Sequence, residues 1–443
     1  MKFGGTSVGS AERMKNLMAI IENSSPKIVV LSAMSGTTNH LVKIDELIKQ
    51  ELRTEAIAEI SQLKKHYLEV VHALFKTEQN ISKGVDFIQL VFELLNTLAN
   101  DIHTQASEKN ILAQGEIIST TLFHLLLLEN NIDSTLLNAL DFMRTDENQE
   151  PNVDYIEKHL QTTLSNHNFP PLIITQGFIC RNEFGEVDNL KRGGSDYTAT
   201  LIGAAVKASE IQIWTDIDGM HNNDPRIVEK TFPITELSYN EAAELAYFGA
   251  KILHPTCVLP AQKNHIPLKL LNTMQPDAQG TIISEKGSGR NITAVAAKDG
   301  IVAINIQSGR MLMAYGFLRS VFEIFERYKT PIDMITTSEV AVSVTIDEIK
   351  HLNEIINELK HFGEVKVDLN QTIVCVVGNF AADQPGFAFK LFDALKHIPI
   401  RMISYGGSAS NISVLIDAQH KKETLIAINN HIFIPNYIAT ATQ

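Results

Sequence analysis

The sequence predicts an α/β fold in three parts: a parallel sheet of βαβ units, a helical insertion within it, and two βαββαβ units of the ferredoxin-like kind. Three observations carry this. Short β-rich apolar runs at 27–31 (KIVVL), 172–176 (LIITQ) and 211–214 (IQIW) each end in small or polar residues, as buried parallel strands do. Between 40 and 103 apolar residues recur instead at steps of three or four, through Ile57, Ile60, Leu63, Tyr67, Val71 and Leu74, then Ile88, Val91, Leu95, Leu98 and Ile102. Beyond a polar Gly/Ser linker at 284–291 (SEKGSGRN), one order of elements occurs twice. Its first copy is strand 301–306, helix 316–328, strands 332–336 and 340–346, helix 347–360 and strand 363–369. The second, with strand 372–377, helix 386–395, strands 399–404 and 411–416 and helix 420–430, lacks a sixth strand. The β-like run 292–297 (ITAVAA) is expected to supply it, which makes the first copy (about 300–369) an insertion in the second (about 292–298 plus 371–435). The expected domains are thus 1–285 and 292–443.

Composition sets bounds on function. With 443 residues, 44% apolar and 20% charged, the chain reads as a soluble globular protein. A formal net charge of -13 argues against nonspecific nucleic-acid or anionic-membrane binding, so an anionic substrate needs a locally basic pocket. Cys180, Cys257 and Cys375 are odd in number and far apart, which suggests packing residues in a reducing compartment. No apolar run reads as long enough for a membrane span, no signal-peptide pattern is present, and a cytoplasmic protein is expected.

In chain order, the opening MKFGGTSVGS places a cation, Lys2, beside Gly4, Gly5 and hydroxyls including Ser7, a combination suited to phosphate, with a helix expected from about Val8. It fits neither GxxxxGK[ST] nor GxGxxG, so a different nucleotide fold is indicated. Ala11–Glu22 reads as a helix. The strand 27–31 then runs into SAMSGTTN (32–39), polar residues at a strand's C-terminal end, where open sheets bind ligands. Gln114, Gly115 and Glu116 interrupt an apolar stretch and read as a helix start, where a Glu also suits the helix dipole. In NLKRGGSDYT (189–198), Arg192 offers a planar fork for a carboxylate, and Gly193, Gly194 and Ser195 precede an expected helix 199–207. Asp196 reads either as that helix's N-cap or as a functional carboxylate. The strand from 211 delivers Thr215 and Asp216, then DGMHNNDPR, in which turn chemistry explains much but not Arg226. A helix over 238–248 ends at Gly249, and Lys251 follows it; His254 reads as structural.

Together KFGGTSVGS, LSAMSGTTN, QGE, RGGSDYTA, TDIDGMHNNDPR and FGAKILHP, in this order, resemble the aspartokinase branch of the amino-acid kinase family, and the C-terminal third resembles its paired ACT domains. The resemblance implies a three-layer sandwich with a helical insertion, followed by two ACT domains. It implies an ATP-dependent kinase that phosphorylates the β-carboxylate of L-aspartate to 4-phospho-L-aspartate, the first step towards lysine, threonine and methionine. It further implies that Lys2 neutralises the transferring phosphoryl group, that Gly4, Gly5 and Ser7 cradle phosphate, and that Thr38, Glu116, Arg192 and Ser195 bind aspartate. Asp196 would orient Lys2. Thr215, Asp216, His221, Arg226, Lys251 and Ile252 match nucleotide-holding positions, with Mg²⁺ held mainly by water and ATP phosphates. Lys191 and His221 depart from the family's usual Gly and Tyr, and only Met1 precedes Lys2, so a short first strand is expected. Other amino-acid kinases of the family lack tandem ACT units, and a non-catalytic sensor is disfavoured because Lys2, Arg192, Asp196 and Lys251 are all present.

The stretch 311–339 resembles that of lysine-sensitive aspartokinases, which implies lysine as effector in the first ACT unit. Asp333 and Glu339 would face its ammonium and the helix start near Gly316 its carboxylate, while Met311, Phe317, Leu318 and Ile332 would line its stem, with Ser338 beside them. ACT sheets pair through their edges, so a homodimer or a dimer of dimers is expected.

Overall fold

The computed structural model describes the chain apart from residues 23–24, 167–168, 191–192, 250–252, 290, 310–314, 380–385 and 435–443. Its Cα packing separates two compact units. The first comprises Met1–Met220, Thr235–Tyr239 and Ile252–Glu285, and the second His221–Ile234, Asn240–Lys251 and Lys286–Gln443. The division near 285 coincides with the polar linker, and two segments from within the expected 1–285 domain, 221–234 and 240–251, pack with the C-terminal part. One reason is visible in 221–234, where Val228 joins a core with Val374, Ile416 and Leu425, while Asn222 and Asn223 donate to Asn429 Oδ1 and Leu425 O.

The first unit holds an eight-stranded sheet and a hairpin. Its strands are β1 (Lys2–Phe3), β2 (Lys27–Leu31), β3 (Thr135–Leu137), β4 (Leu172–Gln176), the hairpin β5 (Ile179–Arg181) and β6 (Val187–Asn189), then β7 (Ile211–Thr215), β8 (Glu236–Ser238), β9 (Leu268–Asn272) and β10 (Thr281–Ser284). The sheet order is β3-β4-β2-β1-β7-β9-β10-β8, parallel except for the β9–β10 pair. Two-residue β1 lies between β2 and β7, with Lys2 opposite Val30 and Ile213 and Phe3 opposite Leu31 and Trp214. Successive strand residues face opposite sides of a sheet. Phe3 therefore stacks on Trp214 and enters one core, and Lys2 points the other way.

The core on the Phe3 side is covered by α1 (Ala11–Ile21), α2 (Thr37–Lys49), α3 (Arg53–Leu74), α4 (Glu78–Asn100) and α5 (Gln105–Glu129). The other face carries α6 (Val153–Asn166) and α7 (Gly194–Ala205); α8 (Tyr239–Tyr247) and α9 (Pro255–Lys263) follow. The phosphate-loop helix begins at Ala11 rather than Val8, because the Ser10 hydroxyl caps it by accepting from Arg13 N. The helix containing Gln114–Glu116 does not start there. It starts nine residues earlier with a Thr104/Ser107 capping box, and 114–116 are buried in its middle. By length and composition α5 is long and apolar enough to cross a membrane, contrary to the sequence reading, but 67% of its most apolar window is buried inside the protein.

In the second unit a six-stranded antiparallel sheet has the order β12-β13-β11-β14-β16-β15, from β11 (Ala294–Gln307), β12 (Ile335–Thr337), β13 (Ala341–Ile346), β14 (Glu364–Val377), β15 (Ile400–Tyr405) and β16 (Asn411–Asp417). Its helices are α10 (Phe317–Arg327), α11 (Leu352–Leu359), α12 (Phe387–Ala394) and α13 (Lys421–Ile428). The separate strands expected at 292–297 and 301–306, and at 363–369 and 372–377, are in fact two continuous 14-residue strands. Residues 294–298 pair with 373–377 and residues 303–307 with 364–368, across a register shift between Lys298 and Ala303.

Gly115 explains why a helix tolerates a glycine here. A Cβ at this position would lie 2.8 Å from Ala33 Cβ and 3.4 Å from Leu41 Cδ1. Alanine is the better helix former by about 1 kcal/mol, whereas overpacking a rigid contact costs about 1–3 kcal/mol. Gly115→Ala is therefore expected to lower unfolding stability, by up to about 2 kcal/mol after that offset, in a denaturant titration. A stabilised variant would mean that Ala33 yields freely.

Candidate functional site

The parallel strands β1, β2, β4, β7 and β9 end on one edge of the sheet, and their backbone hydrogen bonds continue into the loops beyond. Gly4 N donates to Trp214 O, Ser32 N to Phe3 O, Gly177 N to Leu31 O and Thr273 N to Thr215 O, at 2.8–3.2 Å. The loops after these strands are thereby laid side by side. Gly5 approaches the next loop closely, since a Cβ there would stand 2.9 Å from Ala33 O, and its own carbonyl accepts from Ser35 N at 3.1 Å. Ser7 behaves differently from expectation. It is fully buried with its hydroxyl 2.7 Å from Thr273 Oγ1, so it ties the loop to the end of β9 instead of presenting an oxygen to phosphate.

Lys2 leaves the sheet on the α7 side, and its Nζ lies 2.6 Å from Asp196 Oδ1, with side-chain exposures of 11% and 14%. The contact is an ion pair without hydrogen-bond alignment, as Asp196 Oδ1 accepts no well-directed hydrogen bond. Helix α7 begins five residues before the predicted 199, so Asp196 is in its first turn and not its N-cap. The cap is Gly193 in a left-handed conformation (φ 74°) with no side-chain acceptor, which leaves the helix's first N–H groups for another partner. Ser195 is packed so tightly that a Cβ on Gly177 would meet its Oγ at 2.6 Å. Next to it Phe178 is held at φ 66°, a strained value for an aromatic residue, with its N–H donating to Thr198 Oγ1.

Glu116 is 5% exposed and accepts from Ala33 N at 3.2 Å. Burial pushes its carboxyl up to about 8, against the opposing effects of the backbone hydrogen bond and the Lys2 charge. Helix α2 starts after Gly36 with no side-chain cap, and Thr38 lies exposed in its first turn; Thr37 is turned inward, 2.5 Å from Tyr67 Oη. Two uncapped helix N-termini, an ammonium and a carboxyl that stays neutral when empty form a site for an anionic ligand that also carries an ammonium.

Of the other residues assigned by resemblance, Thr215 ends β7 and Asp216 follows it, with Thr215 Oγ1 donating to Asp216 Oδ1 at 3.2 Å. His221 and Arg226 belong to the second unit. His221 Nδ1 is 2.9 Å from Thr231 Oγ1. Arg226 is not a free phosphate ligand: its guanidinium grips Asp224 through two hydrogen bonds of 2.9 and 2.7 Å, which hold that carboxyl below its ordinary value. Arg192, Lys251 and Ile252 lie outside the described residues. The sequence reading missed Thr273, the Ala33 N–H and the strained Phe178, none of which has a signal beyond its place after a strand.

In the regulatory unit, Met311 is likewise outside the described residues, while Gly316 caps α10 without a side-chain acceptor. Phe317 packs edge-on to Phe362, Ile332 borders the same core, and Leu318 is 38% exposed. Ser338 Oγ accepts from Ala341 N and stabilises a turn, and Glu339 is exposed. Asp333, expected to face the effector's ammonium, already holds two donors on one of its oxygens. Its side chain is 1% exposed, and Oδ1 accepts from Lys298 Nζ at 2.7 Å and Tyr247 Oη at 2.8 Å.

The described cysteines are all free and buried. The description "Amino acid kinase family" matches residues 1–272, and "ACT domain" matches 374–432. Lysine-sensitive aspartokinase 3 of Escherichia coli (strain K12) is 31% identical over 445 residues, covering 98% of each chain. Aspartokinase 2, chloroplastic, of Arabidopsis thaliana is 32% identical across 98% of this chain and 84% of its own length. The crystal structure of E. coli aspartokinase III with aspartate and ADP (R-state) superimposes with a TM-score of 0.83 at 31% identity, over 98% of this chain and 99% of that one. Its complex with lysine and aspartate (T-state) gives 0.78, over 98% of both chains. On this evidence the chain belongs to the amino acid kinase family and, within it, to the aspartokinases.

Proposed function

We infer that the chain transfers the γ-phosphoryl group of ATP to the β-carboxylate of L-aspartate, giving 4-phospho-L-aspartate and ADP, under feedback by lysine. The observation that carries the reading is the Lys2–Asp196 pair set among the strand ends, beside the uncapped start of α7 and the buried Glu116. An ionised β-carboxylate is already a nucleophile at neutral pH, so no general base is needed. What remains is alignment and charge neutralisation. Asp196 orients the Lys2 ammonium towards the transferring group, the Gly4–Gly5 loop lets phosphate approach backbone N–H groups, and Glu116 receives the substrate ammonium. When bound, Mg²⁺ would supply charge neutralisation on the phosphates, and because Asp196 is engaged by Lys2 it would be carried mainly by phosphate oxygens and water.

Three buried free cysteines support a cytoplasmic, reducing location. A homodimer or dimer of dimers is supported by the edge strands β12 and β15, which expose Ile335, Ile403 and Tyr405 by 43–49%. Lysine as effector is supported by the uncapped α10 and the neighbouring Phe317, Leu318 and Ile332. Steady-state assays with aspartate, glutamate and acetylglutamate, titrated separately with lysine, threonine and methionine, decide substrate and effector. Aspartate turnover inhibited by lysine alone is expected, and inhibition by threonine alone would overturn the effector.

Lys2→Met is expected to lower kcat by about 10²–10³-fold through loss of one preorganised transition-state charge. It also leaves Asp196 buried and unpaired, so thermal stability falls. Adding Asp196→Asn should recover the stability without the activity. Recovery of both would make the pair merely structural.

Glu116 gives a pH signature. Below about 8 its carboxyl is protonated in the empty enzyme and cannot pair with an ammonium, so the aspartate KM should fall as pH rises from 6.5 towards 8, as a roughly tenfold titration would. Its folded value lies above the unfolded one, so its favourable contribution is complete below the unfolded carboxyl range and is lost as pH rises through about 8. Glu116→Gln should therefore flatten the KM profile while stabilising the empty enzyme at pH 8. A variant with an unchanged KM slope would remove Glu116 from substrate binding.

A further inference from the structure

Helix α8 leads directly in sequence to Lys251, and three of its side chains, at i, i+3 and i+6, are held by the regulatory sheet. Glu241 Oε1 accepts from Thr293 Oγ1 at 2.5 Å, beside the start of β11. Glu244 Oε1 accepts from Ser408 Oγ at 2.9 Å, in the turn between β15 and β16. Tyr247 Oη donates to Asp333 Oδ1 at 2.8 Å, and its ring lies 4.5 Å beneath Lys298 Nζ. Just beyond the helix Gly249 adopts φ 114° against β11, where a Cβ would come within 2.3 Å of Ala297 O. Spacing of this kind puts all three side chains on one side of the helix.

The third anchor differs from the other two. Lys298 sits where β11 passes from one ACT half to the other, as the last residue paired with β14 before the register shift. Its ammonium bridges Asp333 at 2.7 Å and Asp347 at 2.8 Å. Asp333 Oδ2, in contrast, is buried without a donor. An orphan carboxylate oxygen of this sort costs free energy until a donor reaches it.

We propose that Tyr247, Asp333 and Lys298 form a relay that couples effector binding in the first ACT half to the position of α8 and the segment after it. The mechanism rests on the reading of lysine as effector. An ammonium arriving at the vacant Oδ2 shares the Asp333 charge with Lys298 and Tyr247, which weakens both existing bonds. Asp347 keeps Lys298 in place, and Tyr247 is the contact that is released. The helix is then held by Glu241 and Glu244 alone, and its C-terminal turn is freed to shift. Tyr247 and Lys298 are positioning residues in this scheme, since neither touches a reacting atom. Because an effector shifts an equilibrium only by its differential affinity, removing the Tyr247 bond removes the difference and not the binding.

The test uses the full chain carrying Tyr247→Phe, with Lys298→Met as a second variant. In Tyr247→Phe, which lacks the releasable bond from the start, effector-free kcat should fall several-fold towards the lysine-inhibited level and lysine should inhibit little further, while lysine still binds by calorimetry within threefold of the wild-type Kd. Without any effector, amide hydrogen exchange across 240–249 should quicken several-fold in both variants, with α5 unchanged. Wild-type effector-free activity with undiminished lysine inhibition in Tyr247→Phe, or exchange across 240–249 unaltered, overturns the relay. Wild-type protein that binds no lysine overturns the effector reading instead, and the exchange measurement still decides whether Tyr247 and Lys298 hold α8.

Discussion

An ammonium withdrawn from water must be met by a carboxylate, and here the Lys2–Asp196 pair imposes that condition on the catalytic unit. Lys2 stands on a two-residue strand whose neighbours on both sides are parallel. Its direction is set by Phe3, which is locked into the opposite core against Trp214. Asp196 reaches it only because α7 starts at Gly194, and that start requires a left-handed Gly193 and a strained Phe178. A pair this buried gains little net stability from its attraction, since desolvation offsets most of it. Its value lies in fixing where a positive charge stands before a polyanion arrives.

The fold was legible because its strands are apolar runs that stop at polar residues, and because the insertion keeps a helical period across α3 and α4. Misreadings fell where tertiary packing overrides local signals. Gln114–Gly115–Glu116 looks like a boundary, since a glycine between two polar residues breaks an apolar run, yet close packing on Ala33 is what demands the glycine. Asp299–Gly300 and Leu369–Asn370 look like turns, but Gly300 (φ 76°) and Asn370 (φ 55°) lie within long strands. Site residues were legible as types and less so as states. Sequence placed carboxylates at 224 and 333 but not the cation each already holds, Arg226 and Lys298, whereas the Lys2 partner of Asp196 came only from the family resemblance.

Charge is used in three ways in this chain. At Lys2 a cation is oriented by its carboxylate. At Arg226 the guanidinium is 74% exposed and its Asp224 contact is a local brace, of the kind worth about 1 kcal/mol or less. At Lys298 two carboxylates share one ammonium: burial disfavours its charged form, and the Asp333 and Asp347 partners outweigh that, so the charge is retained. The first lies among the strand ends of the candidate site, the second in a turn, and the third at a junction between structural repeats.

That junction has a mechanical side. The strands β11 and β14 each run 14 residues, about 45 Å of extended chain at 3.2–3.4 Å per residue, and each contributes to both ACT halves. Two repeats built on shared beams cannot slide or melt separately, because slippage in one half moves the register of the other. The sheet is thus continuous through both halves, and the register shift after Lys298 is the break in the β11–β14 ladder where a bend would swing one half against the other as a lever. A small displacement at the fulcrum is amplified at the far edge, so a ligand no larger than an amino acid can be felt well beyond its own reach.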